Sequence, residues 1–283
     1  MAAPGSPDWK QKVERLQQKW QELAAGGRED SVLSKASATL QSLSTHCSEE
    51  KDILDIASFF HLYTKAILDI TFFEENQLVD RDFQGDDSLS KVRELIQILS
   101  EPEHLVKEFR QNQKAPVADL DVELSECLHW RRGALLYMYC HTVGEHEGWC
   151  LQNKGTFLQC LKDGTSYLLK MLTIRSPVHL NEEVLFQDLN TATLLSKGIF
   201  SDIHVLALMY CGEMCYWALN YCRHEEQVSH GHSDRSSTTL DFQEVGEGAL
   251  DKYVSVCEGP LHGQGWNTEK AKTMQEFFKK IKS

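Results

Sequence analysis

Two stretches, Leu124–His141 and Ile203–Cys222, constrain the fold more than any others. The first is amphipathic over its first half and apolar nearly all round over its second. The second carries Val205, Leu206, Ala207, Leu208, Met209, Tyr210 and Cys211, then Met214, Cys215, Tyr216, Trp217 and Leu219. A helix that is apolar on every side has to be covered by neighbours. The two stretches therefore read as central helices on which the rest of the chain packs. A membrane span needs about 20 mostly apolar residues, and the longest candidate, Ile203–Leu219, holds His204 and Glu213. The expectation is no transmembrane segment.

The remaining apolar residues recur at helical spacing. Trp9, Val13, Leu16, Trp20 and Leu23 form one stripe, and Leu33, Ala36, Leu40, Leu43 and Cys47 a second beyond Gly26-Gly27. These predict an αα-hairpin docked on the core, or alternatively a free coiled-coil arm. Phe59, Phe60, Leu62, Tyr63, Ala66, Ile67, Ile70 and Phe73 predict a helix buried on two sides. Leu89–Leu99 predicts a short helix, and Ser100-Glu-Pro-Glu103 reads as the start of another, because an N-cap, an early proline and a capping-box glutamate coincide there. Further helices are expected over Phe157–Leu172, from Asn181 through Leu195, over Phe242–Val256 and after Asn267. No strand is predicted. The fold class is all-α: a multi-helix bundle or an irregular array of helical pairs with no significant sheet. Residues 1–7 read as a disordered lead-in and 8–283 as a single helical domain. Possible halves are 8–110 and 118–283, and 224–238 reads as a mobile loop.

The formal charge is −13, from 42 acidic and 29 basic residues. That argues against a broad nucleic-acid or anionic-membrane surface, which needs clustered Lys and Arg. Nine cysteines include no Cys-x-x-Cys pair, and the chain opens without a secretory signal, so reduced, buried thiols of a cytosolic protein are expected. No phosphate-cradling loop and no nucleophile elbow is present. The loop Asp80–Ser88 imitates the start of an EF-hand, but its twelfth position is Lys91 where a bidentate Glu is required. His224-Glu225 lacks a second His four residues on, where Val228 stands, and His230 and His232 in their polar loop would be weak, adventitious ligands at best. Cys211, Cys215, Cys140 and His141 could hold zinc or serve a thiol-dependent hydrolase; as residues of helix faces they could equally pack as small apolar groups. Glu126, Glu213, His129 and His204 could act as acid and base, form structural hydrogen bonds or reach the surface. Trp130-Arg131-Arg132 fits a partner's carboxylates, or an internal pairing with Glu74, Glu75 or Glu126. No cofactor or small-molecule substrate is implied. By themselves the residues read no further than an all-helical protein without an active site.

Five segments carry a resemblance: LYTKAILDITFFEENQLVDRDF (62–83), ILSEPEHLVKE (98–108), LSECLHWRRGALLYMYCH (124–141), GIFSDIHVLALMYCGEMCYW (198–217) and LDFQEVGEGALDKYVSVCEGPL (240–261). Together they resemble the family of Rab-seven-interacting subunits of the Mon–Ccz complex, the exchange factor for the late-endosomal GTPase Rab seven. The resemblance implies a non-catalytic accessory subunit whose partners are Rab seven and the Mon–Ccz complex. It further implies support of that GTPase's stability and recruitment in endosomal traffic, autophagy and mitophagy, by a cytosolic protein recruited to late endosomes or damaged mitochondria. It transfers no residue roles. The interface expected from the residues is Trp130, Arg131 and Arg132 with the acidic pair Glu74 and Glu75.

Overall fold

The computed structural model describes residues 9–25, 31–48, 56–112, 119–145, 147–175, 188–222 and 240–282. The lead-in 1–7, the Gly26-Gly27 turn, Asn181 with its expected helix start, the loop 224–238 and its histidines lie outside them, as do the side chains of Cys47 and Cys222. The described residues form eleven helices and no strand, so the fold is all-α. The chain divides into two compact units, Met1–Leu128 and His129–Ser283. The division lies within helix α5 (Val122–Gly144), whereas the halves suggested by the sequence, 8–110 and 118–283, divide at 111–117, of which 113–117 are not described.

The first unit holds α1 (Trp9–Ala24), α2 (Ser31–Ser48), α3 (Ile56–Val79), α4 (Ser88–Asn112) and the opening of α5. Its centre is α3. Phe59, Phe60, Tyr63, Ala66, Ile67 and Ile70 are buried together with Leu40 and Leu43 of α2, Leu99, Leu105 and Phe109 of α4, and Leu128. By length and composition α3, not the Ile203–Leu219 stretch weighed above, is the one described helix apolar enough to cross a membrane. Most of its apolar side chains are instead used by this core, and Phe72 is exposed.

The two helices expected around residue 100 are a single helix, α4, with Pro102 inside it. Ser100 does not cap; its Oγ donates back to the Ile96 carbonyl at 2.8 Å. A mid-helix proline costs about 3 kcal/mol. Here Val92, Leu95, Leu99, Leu105, Val106 and Phe109 continue one buried stripe across the proline, and that burial outweighs the lost hydrogen bond. After α3, Asp82 and Phe83 take positive φ (49° and 51°), and the Phe83 side chain is buried. The calcium-like loop is thus a helix-ending turn anchored by an aromatic side chain.

The second unit contains the rest of α5, then α6 (Glu147–Gln152), α7 (Lys154–Ile174), α8 (Leu189–Ser196), α9 (Asp202–Cys222), α10 (Phe242–Glu258) and α11 (Glu269–Lys282). Within the described residues α8 begins at Leu189, where Asp188 caps it by accepting the Thr191 amide at 2.6 Å. The hub is α9, which packs against α7, α10 and α11. Close approach is set by small residues. A Cβ at Gly246 of α10 would fall 2.5 Å from Phe278 Cζ and 2.7 Å from Cys215 Cβ. At the α5–α7 seam a Cβ at Gly133 would meet Leu168 at 2.6 Å.

Candidate protein-interaction surface

Helix α5 opens where Asp121 accepts the amides of Glu123 and Leu124 at 2.9 and 3.2 Å. In the second unit, Trp130 and Tyr137 lie seven residues apart on α5, and Tyr210 and Trp217 seven apart on α9. Seven residues is close to two helical turns, so each pair lines one side of its helix. The four rings form one continuous row. Trp130 stacks on Tyr210 (centroids 5.6 Å, planes 15° apart), Tyr210 on Tyr137 (3.6 Å, 6°) and Tyr137 on Trp217 (5.4 Å, 22°). His141 closes the row against Tyr137 and Trp217 at 6.0 and 5.8 Å. The four rings are half-buried and His141 is exposed. Each stacked pair contributes about 0.5–1.5 kcal/mol beyond burial, so the row is held rigid while its outer edges meet water.

Beneath the row lies Glu213, 1% exposed. It accepts a hydrogen bond from the Tyr137 hydroxyl and pairs with Lys270 of α11. Burial, and then the Glu213 charge, push the Tyr137 phenol well above its ordinary value, and Tyr210 is raised by the same two causes. Both tyrosines are therefore neutral at physiological pH, and Tyr137 is fixed as a donor to the carboxylate. The arrangement offers a preorganised row of aromatic ring edges. Aromatic side chains of this kind anchor protein interfaces.

The residues singled out from sequence fare differently. Trp130 ends the aromatic row, and Arg131 is half-buried. Arg132 is 2% exposed, with its guanidinium 4.6 Å from the centre of the Tyr167 ring, against which His129 also packs edge-on. In the first unit, Glu74 is half-buried and pairs with Lys19 at 3.0 Å. Its burial raises the carboxyl, and Lys19 offsets this only in part. Glu75 is buried. Arg132 and Glu75 thus belong to the interiors of their units.

The chemical alternatives find no constellation. None of Glu126, Glu213, His129 and His204 reaches the surface; His204 shares a hydrogen bond of 2.9 Å with Ser201, and Glu213 serves Tyr137 and Lys270. Among the described residues no three metal-ligating side chains converge. Cys140 is buried against Cys160 of α7, whereas its neighbour His141 faces the row. Burial raises the thiols of Cys140 and Cys211 and pushes Cys215 up to about 12. These thiols stay protonated at neutral pH and pack as small apolar groups.

Sequence reasoning missed Tyr137, Tyr210, Trp217 and His141 as surface residues, because they sit inside runs that read as core. The signal that could have found them is the repeated seven-residue aromatic spacing, Trp130 to Tyr137 and Tyr210 to Trp217.

The family profile described as RAB7A-interacting MON1-CCZ1 complex subunit 1 matches residues 32–279. Proteins carrying that name from Homo sapiens and Danio rerio are similar to this chain. The human protein is 53% identical over 262 residues, covering 90% of this chain and 89% of its own length. The zebrafish protein is 44% identical over 267 residues, covering 94% and 95%. The mouse protein of that name is 52% identical over 262 residues. No solved structure matches the chain. With the profile covering most of the chain and relatives at this identity across nine-tenths of it, the chain belongs to the RAB7A-interacting MON1-CCZ1 complex subunit 1 family.

Proposed function

We propose that this chain is a non-catalytic accessory subunit that binds RAB7A and the MON1–CCZ1 complex, with the aromatic row of α5 and α9 as its contact surface. The observation that carries the surface is the stack Trp130–Tyr210–Tyr137–Trp217, rigid and half-exposed, with Arg131 beside Trp130. The partners rest on the names of the family and its relatives. In this reading the protein is cytosolic and reaches late endosomes or damaged mitochondria through its partners, where it supports the stability and recruitment of the GTPase in endosomal traffic, autophagy and mitophagy.

The test is capture of RAB7A, loaded with GDP or with a non-hydrolysable GTP analogue, with and without MON1–CCZ1, by the wild-type chain and by Trp130→Ala/Trp217→Ala. The expected outcome is loss of capture by the variant at unchanged helical content. Full capture by a folded variant removes the row as the contact surface, and failure of the wild-type chain to capture either partner refutes the function.

A further inference from the structure

The first unit carries a second feature, independent of the aromatic row. Glu94, Glu101 and Glu108 lie at seven-residue intervals on α4, and Glu74 stands beside them on α3. Facing them, α1 presents Lys12, Arg15 and Lys19. Lys12 pairs with Glu108 at 3.0 Å, Arg15 with Glu101, and Lys19 with both Glu74 (3.0 Å) and Glu94 (3.2 Å). The pairing runs antiparallel, since the number rises on α1 as it falls on α4. These side chains reach across open space: a cleft of about 340 Å³ lies between α1 and α4, bordered by Arg15, Lys19, Glu94 and Glu101. A second cleft, of about 160 Å³, lies among Leu23, Glu74 and Glu94. The apolar stripe of α1 is deeply buried only at its middle, at Val13 and Leu16; Trp9, Trp20 and Leu23 pack on the same core partly exposed, Trp9 edge-on to Phe59 and Trp20 donating to the Leu33 carbonyl at 3.0 Å.

One acidic group is incompletely served. Lys19 reaches Oε1 of Glu74, while Oε2 is shut off from solvent with no hydrogen-bond partner among the described residues. A lysine is a point donor, whereas an arginine fork can serve both oxygens of a carboxylate. An arginine in place of Lys19 would reach both oxygens of Glu74. Moreover, α1 lies ahead of the residues that the family profile matches.

We infer that α1 is a displaceable cis ligand, covering a groove that docks a partner's amphipathic helix. That helix carries an apolar stripe and basic side chains at i, i+3 and i+7, with arginine at the last. The groove supplies its recognition: an apolar floor including Phe59 and a rim of four carboxylates. That rim repels acidic segments and selects basic ones.

The experiment uses the full chain and a fluorescent peptide of residues 9–24, natural or with Lys19→Arg, followed by anisotropy. The chain carrying Lys12→Glu, Arg15→Glu and Lys19→Glu, whose own α1 is repelled, binds the peptide at least about tenfold more tightly than wild type. The arginine peptide binds more tightly still, and adding Glu94→Lys and Glu101→Lys abolishes binding. Equal affinity for the wild-type and triple-variant chains overturns the inference, as does a dimer formed by exchange of α1 between copies. Hydrogen exchange on the unmodified chain gives a second reading that needs no variant. The amides of α1 exchange at least about tenfold faster than those of α3, and faster still at high salt; exchange of α1 in step with α3 overturns the inference equally.

Discussion

Two rows of side chains bridge helices in this protein, one in each unit, and they work in opposite ways. The aromatic row between α5 and α9 is short-range. Its rings stack at centroid distances down to 3.6 Å over a buried carboxylate, so neither helix shifts without breaking several contacts. The charged row between α1 and α4 acts across a cleft through long side chains, several of them well exposed. Exposed ion pairs contribute about 0–1 kcal/mol each and weaken with salt. The difference teaches that a stacked seam holds its two helices in one arrangement, whereas a charged seam beside an open cleft specifies a register without locking it.

The comparison can be broken most severely beneath the charged row. Leu16 is 2% exposed and anchors α1, so Leu16→Ala should cost about 2–5 kcal/mol, far more than any ion pair above it. Denaturant unfolding checks this, and a loss no larger than that of Lys12→Ala would make the charges the anchor. The aromatic row should respond next, to alkali. The folded Tyr137 phenol ionises above the ordinary value of 10.0, so the unfolded chain releases that proton first. Its contribution is fully present below pH 10 and is lost as pH rises beyond, at most at about 1.4 kcal/mol per pH unit for one phenol. Tyr137→Phe should flatten stability against pH in that range relative to wild type, and identical profiles would show that neither burial nor Glu213 raises the phenol. Double-mutant cycles sharpen the contrast at smaller scale. Tyr137 with Tyr210 should couple by about 0.5–1.5 kcal/mol, insensitive to salt. Lys12 with Glu108 should couple by less than about 1 kcal/mol and lose most of that in concentrated salt. Equal salt sensitivity of the two cycles would erase the distinction.

Much of the helical architecture was legible from spacing. The stripe Trp9, Val13, Leu16, Trp20, Leu23 is the inner face of α1, and the Phe59–Phe73 pattern marks the helix buried on two sides. Local signals misled where tertiary burial outweighed them. Ser100 and Pro102 carry the chemistry of a helix start, but the apolar stripe on either side of them is continuous and α4 runs through. The site was less legible for a related reason. Spacing identifies which residues share a face, not whether that face is wholly covered, so Tyr137 and Tyr210 read as core, while Arg132 fits either a partner's carboxylates or an internal pairing. Arg132 is buried because the Tyr167 ring face accepts its guanidinium, a contact between α5 and α7 that no local pattern announces. Likewise, Cys140, Cys211 and Cys215 have the identities of metal ligands or nucleophiles, and only their burial shows that they pack as apolar groups.

The most direct measurement of the central claim is hydroxyl-radical footprinting of the full chain, alone and bound to MON1–CCZ1 and RAB7A. A preformed aromatic contact surface predicts that Trp130, Tyr137, Tyr210 and Trp217 are oxidised in the free chain and become protected together in the complex. Assembly of the complex with all four rings still oxidised at their free rates would contradict it.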